Sequence, residues 1–202
     1  MKSINNYISE KLVINKNTGK KYYKYFPETK DELIDIIRQR IKEEGNECDL
    51  NNINVSKITD MSYLFNESSF NGNISKWDVS NVEDMSVMFA SSKFNQDISE
   101  WNVSNVENMR YMFSYSEFNQ DISNWDVSNV KNMYSMFTFS KFNQDISNWD
   151  ISNVKNMGWM FSGSKFDQDI SKWDLSNVEY RSNMLGNSPL AGKEKEWWGR
   201  TK

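Results

Sequence analysis

The chain of 202 residues contains no histidine. That removes imidazole as general base, as metal ligand and as a switch near neutral pH. A single cysteine, Cys48, excludes a disulfide framework and a multi-cysteine zinc site. With no imidazole to activate it, Cys48 reads as a packed or idle thiol. No apolar run approaches the roughly 18 residues of a membrane span. Residues 1–26 lack the short apolar block of a signal peptide, which by itself points to a cytoplasmic location. Hydrophobic residues are also scarce, at 38%. What is present instead is aromatic: eight Trp, twelve Phe and nine Tyr, with eleven Met beside them. That is too much buriable surface for a disordered chain.

Charge is uneven. Residues 1–45 carry a net +3, residues 46–189 a net −9 and residues 190–202 a net +2, which leaves the chain at −4. The acidic middle repels phosphate backbones, so nucleic acid is not an expected partner.

Self-similarity organises that middle. Trp77, Trp101, Trp125, Trp149 and Trp173 recur every 24 residues, and Phe70, Phe94, Phe118, Phe142 and Phe166 keep the same step. The Ile74, Ile98, Ile122, Ile146 and Ile170 column does likewise. Four clear copies begin at Phe70, Phe94, Phe118 and Phe142; a degenerate one begins at Phe166, and Leu50, Ile53, Val55, Ile58, Met61, Leu64 and Phe65 fill the apolar slots of an earlier one. Six units, the first and last atypical, therefore span 46–189. Atypical ends suit a stack whose outer faces must be sealed from water.

A 24-residue unit is too short for a helical hairpin, which needs about 33 residues or more. Within it, Trp-Asp-Val alternates at strand spacing. Val-x-Asn-Met-x-x-Met-Phe is spaced like a helix. The expected class is an α/β repeat solenoid: short parallel strands plus helical or 3-10 turns at a 24-residue period, capped by an N-terminal hairpin and helix.

The segment Phe118–Phe137, F-N-Q-D-I-S-N-W-D-V-S-N-V-K-N-M-Y-S-M-F, resembles the BspA-type bacterial surface-protein repeat, whose signature is W-D-V-S-N-V-x-N-M-x-x-M-F. The resemblance covers about residues 46–189, in register. It implies a leucine-rich-repeat-like solenoid, a cell-surface or secreted location and an adhesion-type role.

Residues 1–45 stand outside the repeat. Ile8–Ile14 and Lys20–Phe26 read as strand-like runs around Asn17-Thr18-Gly19, a hairpin. Thr29 and Glu32 form a capping-box signature. Leu33, Ile34, Ile37 and Ile41 make one helical stripe ending at Gly45, which predicts a helix over 30–44 that covers the first repeat. Residues 190–202, with Trp197 and Trp198, read as a C-terminal cap or tail, and the cost of leaving two indoles in water favours docking.

The repeated carboxylates need an outlet. Asp78, Asp126, Asp150 and Asp174 follow Trp, with Asn102 once in their place, and Asp97, Asp121, Asp145 and Asp169 precede Ile. Stacked about 5 Å apart they would repel. Calcium is one remedy; an Asp side chain accepting a backbone N–H in the next turn is the other. The second fits better, because Asn substitutes once and no glycine-rich calcium loop is present. No metal and no cofactor is expected. Gly158–Lys165 faintly resembles a phosphate loop, but its lysine falls one place late and the segment lies inside a repeat.

The variable slots carry the functional signal. Tyr63, Tyr111, Tyr115, Tyr134, Phe139 and Trp159 fall out of phase with the core stripe and should face water. Exposed rings on a rigid frame are usual recognition material, and packing between neighbouring repeats is the alternative use. These six are the candidate ligand-binding residues. The expected function is a non-enzymatic repeat scaffold binding a protein or glycan partner. An intracellular protein–protein scaffold is the alternative, and a carboxylate-dependent hydrolase is less favoured because nearly every Asp keeps step with the repeat.

Overall fold

The computed structural model describes residues 23–199. The strand-like run Ile8–Ile14, the Asn17-Thr18-Gly19 turn and the start of Lys20–Phe26 lie outside them. Two α-helices occur among the described residues: α1, Lys30–Glu44, and α2, Glu194–Trp198. Between them six coils of 24 residues lie one on another. Their register is fixed by single parallel bridges: Asp60 to Asp84, Asp84 to Asn108, Asn108 to Asn132, Asn132 to Asn156 and Asn156 to Tyr180.

The expected α/β class is not what forms. No sheet exists among the described residues, only isolated bridges, and neither helix belongs to a repeat. The backbone of the second coil shows why. The N–H groups of Met85, Val87, Phe89 and Ser91 donate along the stack to the carbonyls of Asn108, Arg110, Met112 and Ser114, at 3.0, 2.9, 2.9 and 2.8 Å. The N–H groups of Met88, Ala90 and Ser92 turn back three residues, to Met85, Val87 and Phe89. A helix would send every N–H four residues back, and a strand would need extended dihedrals throughout. Here Val87 and Ser91 sit at φ +61° and +54°, so alternate donors point up the stack. The helix-like spacing of Val-x-Asn-Met-x-x-Met-Phe arises from a run of turns.

The Trp-Asp-Val alternation fails as a strand for a related reason. The Trp101 N–H bonds back to the Ile98 carbonyl and the Val106 N–H to the Val103 carbonyl, so turns flank the triplet. The Asn102 side chain accepts the Ser104 N–H at 3.1 Å.

The core is columnar. Phe65, Phe89, Phe113, Phe137 and Phe161 stack at 5.6–5.7 Å. Phe70, Phe94, Phe118, Phe142 and Phe166 stack beside them at 6.2–6.3 Å. Trp77 and Trp101 lie 6.4 Å apart and nearly parallel. The indole N–H of Trp101, Trp125 and Trp149 donates to the carbonyl of Ile74, Ile98 and Ile122, which anchors these three indoles to the preceding coil; the buried Trp173 indole N–H makes no such bond. The Ile, Val and Met columns are buried around them.

Both ends are covered unequally. Thr29 caps α1 by accepting the Glu32 N–H at 3.2 Å, while Glu32 accepts from the Glu28 N–H. Gly45, at φ +87°, closes α1 onto the Ile41 carbonyl. Leu33, Ile36 and Ile37 bury the inner face of α1, and the first-coil residues Leu50, Ile53, Val55, Ile58 and Met61 are buried with it. Tyr25 bridges Ile53 in parallel on the same side. At the other end the Trp198 indole donates to the Trp173 carbonyl, which holds α2 against the sixth coil.

Candidate functional site

Each coil carries two residues in the left-handed region. One column of positive φ contains Tyr63, Val87, Tyr111, Ser135, Trp159 and Asn183; the other contains Glu67, Ser91, Tyr115, Phe139, Gly163 and Asn187. Five of the six predicted residues occupy these columns. Tyr134 is the exception, one place earlier in its coil and level with Arg110 and Gly158. Non-glycine residues at positive φ are uncommon, and β-branched or bulky ones are outliers. Val87, Trp159 and Phe139 are held there because their N–H groups bond to the next coil.

The six residues do not form one cluster. Tyr115 and Phe139 are 60% and 50% exposed and stack at 5.0 Å, in consecutive coils. Tyr111 and Tyr134, both half-buried, meet edge to face at 5.3 Å. The Arg110 guanidinium lies 5.4 Å from the Tyr111 ring centroid. Burial, followed by the hydrogen bond to Tyr111, raises the Tyr134 phenol above its ordinary value. Trp159, 39% exposed, and Tyr63, 57% exposed, make no ring–ring contact among the described residues. Tyr63 belongs to the first coil, beside α1, and stands apart from the others.

Three residues that complete this surface lie outside the predicted set. Tyr180, 45% exposed, stacks on Tyr134 at 6.3 Å although a whole coil lies between theirs. It does so across Gly158, where a Cβ would lie 2.2 Å from the Tyr180 ring. Gly163 does the same for Phe139: a Cβ there would meet that ring at 2.4 Å. One glycine-bearing coil thus makes room for rings from its neighbours. The sequence signals are present: Tyr180 is the one aromatic in a column of Asp and Asn, and the two glycines fall in slots that elsewhere carry side chains. The result is an aromatic strip over coils three to six. Each ring pair adds about 0.5–1.5 kcal/mol beyond area burial, so the strip is pre-ordered.

The carboxylate columns are structural. Asp78, Asp126, Asp150 and Asp174 accept the N–H of the serine two residues on, as do Asp97, Asp121, Asp145 and Asp169. Bonds from the serine backbone and hydroxyl hold Asp97, Asp145 and Asp174 below the usual carboxylate range; at Asp150 and Asp169 the hydroxyl is the larger influence. Among the described residues no three acidic or cysteine side chains gather as a metal site. Cys48 is buried, and burial raises its thiol. On another face, a groove of about 820 Å³ follows Asn81, Asn105 and Asn129 between Glu83, Glu107 and Lys57. Each of those amides donates to a serine carbonyl of the preceding coil, Ser56, Ser80 or Ser104, and so stitches the stack.

No helix of the described residues is long and apolar enough to cross a membrane. No curated protein and no solved structure matches the chain. A family described as "Mycoplasma protein of unknown function, DUF285" matches over residues 37–140 and again over 114–198, which together include all six coils and both helix-to-stack junctions. By that match, the chain belongs to the DUF285 family of Mycoplasma proteins.

Proposed function

We propose that the protein is a non-enzymatic, adhesion-type scaffold whose aromatic strip binds a protein or glycan partner. The observation that carries this reading is the stacked pair Tyr115–Phe139, at least half exposed on a backbone braced by bonds from coil to coil. Rings fixed in advance lose little conformational entropy on binding. The Asp columns are engaged in turns and keep step with the repeat, so those columns supply no carboxylate pair set apart for hydrolysis. The BspA-type resemblance of the repeat supports an adhesion role at a cell surface.

The test uses the triple variant Tyr111→Ser, Tyr115→Ser, Trp159→Ser. The wild-type chain and the variant are screened side by side against immobilised glycans and surface-protein extracts. Loss of the wild-type signals, with unchanged circular dichroism and Tm, is the expected result. Equal binding by a folded variant refutes the assignment.

A further inference from the structure

We infer that the C-terminal end of the stack is a docking cleft for a peptide segment folded like the chain's own turn run, which adds its backbone carbonyls to the sixth coil. Each internal coil passes four N–H groups to the next; from the fifth coil, those of Met157, Trp159, Phe161 and Gly163 reach the carbonyls of Tyr180, Ser182, Met184 and Gly186 at 2.8, 3.0, 2.8 and 2.8 Å. The corresponding donors of the sixth coil belong to Arg181, Asn183, Leu185 and Asn187. Leu185 alone has an acceptor, the Glu194 carboxylate at 3.2 Å, whose other oxygen takes the Gly192 N–H. The backbone N–H groups of Arg181, Asn183 and Asn187 have none among the described residues.

Two of these free donors border a cleft of about 760 Å³ between the sixth coil and α2. Leu175, Val178 and Trp198 give it an apolar wall. Val178 is half-buried, whereas its counterparts Val82, Val106, Val130 and Val154 are covered by the next coil. A cleft of this size, with one apolar wall, a polar rim and backbone donors at its edge, has room for a short peptide. The chemistry required is two carbonyls two residues apart beside an apolar side chain, which is backbone addition of a peptide. The cleft continues the contact that the molecule already makes five times, so a segment shaped like its own turn run is the occupant that fits. Glu194 already holds the third donor, which limits the added segment to a few residues. The first coil of a second copy does not qualify, because α1 lies over that end.

The probe is the acetylated and amidated octapeptide V-K-N-M-Y-S-M-F, the sequence of residues 130–137, titrated into the isotope-labelled full chain. Amide exchange at Arg181 and Asn183 should slow by about tenfold or more at saturation, with a shift of the Trp198 indole signal. Val178→Asp should abolish both effects, and the triple serine variant of the aromatic strip should retain them, which separates this site from the strip. Unchanged exchange at Arg181 and Asn183, or responses confined to Tyr111, Tyr115 and Phe139, would overturn the assignment. So would undiminished binding by Val178→Asp.

Discussion

At the scale of single residues, the stack depends on a few side chains used in two ways. Trp125 is nearly fully buried and also donates to the Ile98 carbonyl. Trp125→Ala removes both roles and should cost about 3–5 kcal/mol, read as a lower midpoint in denaturant unfolding. Gly163 is exposed to a double constraint, at φ +67° and beneath the Phe139 ring. Gly163→Ala should destabilise by about 1 kcal/mol or more and, through displacement of Phe139, change the ring-current shifts in the NMR signals of the Tyr115–Phe139 pair. A smaller loss with that pair intact would mean the ring is not seated over the glycine. The serine-bonded carboxylates make a pH prediction. Their folded pKa values are depressed at Asp97, Asp145, Asp150, Asp169 and Asp174. Their contribution is therefore complete above the unfolded value, about 3.9, and is lost as the pH falls through the lower folded values. Tm should hold through the neutral range and drop on acidification below about pH 4. Replacing Asp150 and Asp174 with Asn should flatten that drop, since Asn102 already makes the same turn. An unaltered acid limb in the double variant would show that these bonds do not set it.

At the scale of elements, α1 was legible and the repeat backbone was not. Thr29, Glu32, the Leu33–Ile41 stripe and Gly45 each mark a position on a helix, and the observed bounds are Lys30 and Glu44. Thr29→Ala should cost about 0.5–2 kcal/mol through the lost cap, and thermal unfolding will show whether the first coil melts with it. In the coils, periodicity told which side chains point inward but not what the backbone does. Apolar residues three and four apart are shared by a helix and by a run of turns, and no residue type announces that Val87, Tyr111 or Phe139 sits at positive φ. Those dihedrals are imposed by bonds to the adjacent coil, a tertiary cause that local propensity does not register. The same limit governs the candidate site. Outward direction followed from phase, and Tyr63, Tyr115, Phe139 and Trp159 are exposed. The pairing of Tyr134 with Tyr180 reaches across a whole coil and depends on an absent side chain at Gly158, so it needed the register in space.

For the molecule as a whole, stability resides between neighbours rather than within a unit. Disrupting a middle coil should therefore split the unfolding transition, while disrupting the sixth should merely shorten the cooperative part. Leu185→Asp against Phe113→Asp, compared by hydrogen exchange, distinguishes the two patterns. One transition of undiminished size for Phe113→Asp would contradict a nearest-neighbour account. Pro189 has a bearing on how the stack stops. The equivalent residues Lys93, Glu117, Lys141 and Lys165 each pass an N–H to a serine carbonyl one coil back, and proline has none to pass.

The four alternate donors of every internal turn run point the same way along the axis, and the donors that flank the run point the other way. The rod is consequently a ruler with a sense of direction: duplicating residues 118–141 would lengthen it by about 4.8 Å and leave both tips chemically as they were. Gain or loss of such a unit would tune reach and the length of the aromatic strip together, a form of variation that an inherited sequence can sample while keeping the same bonds between coils.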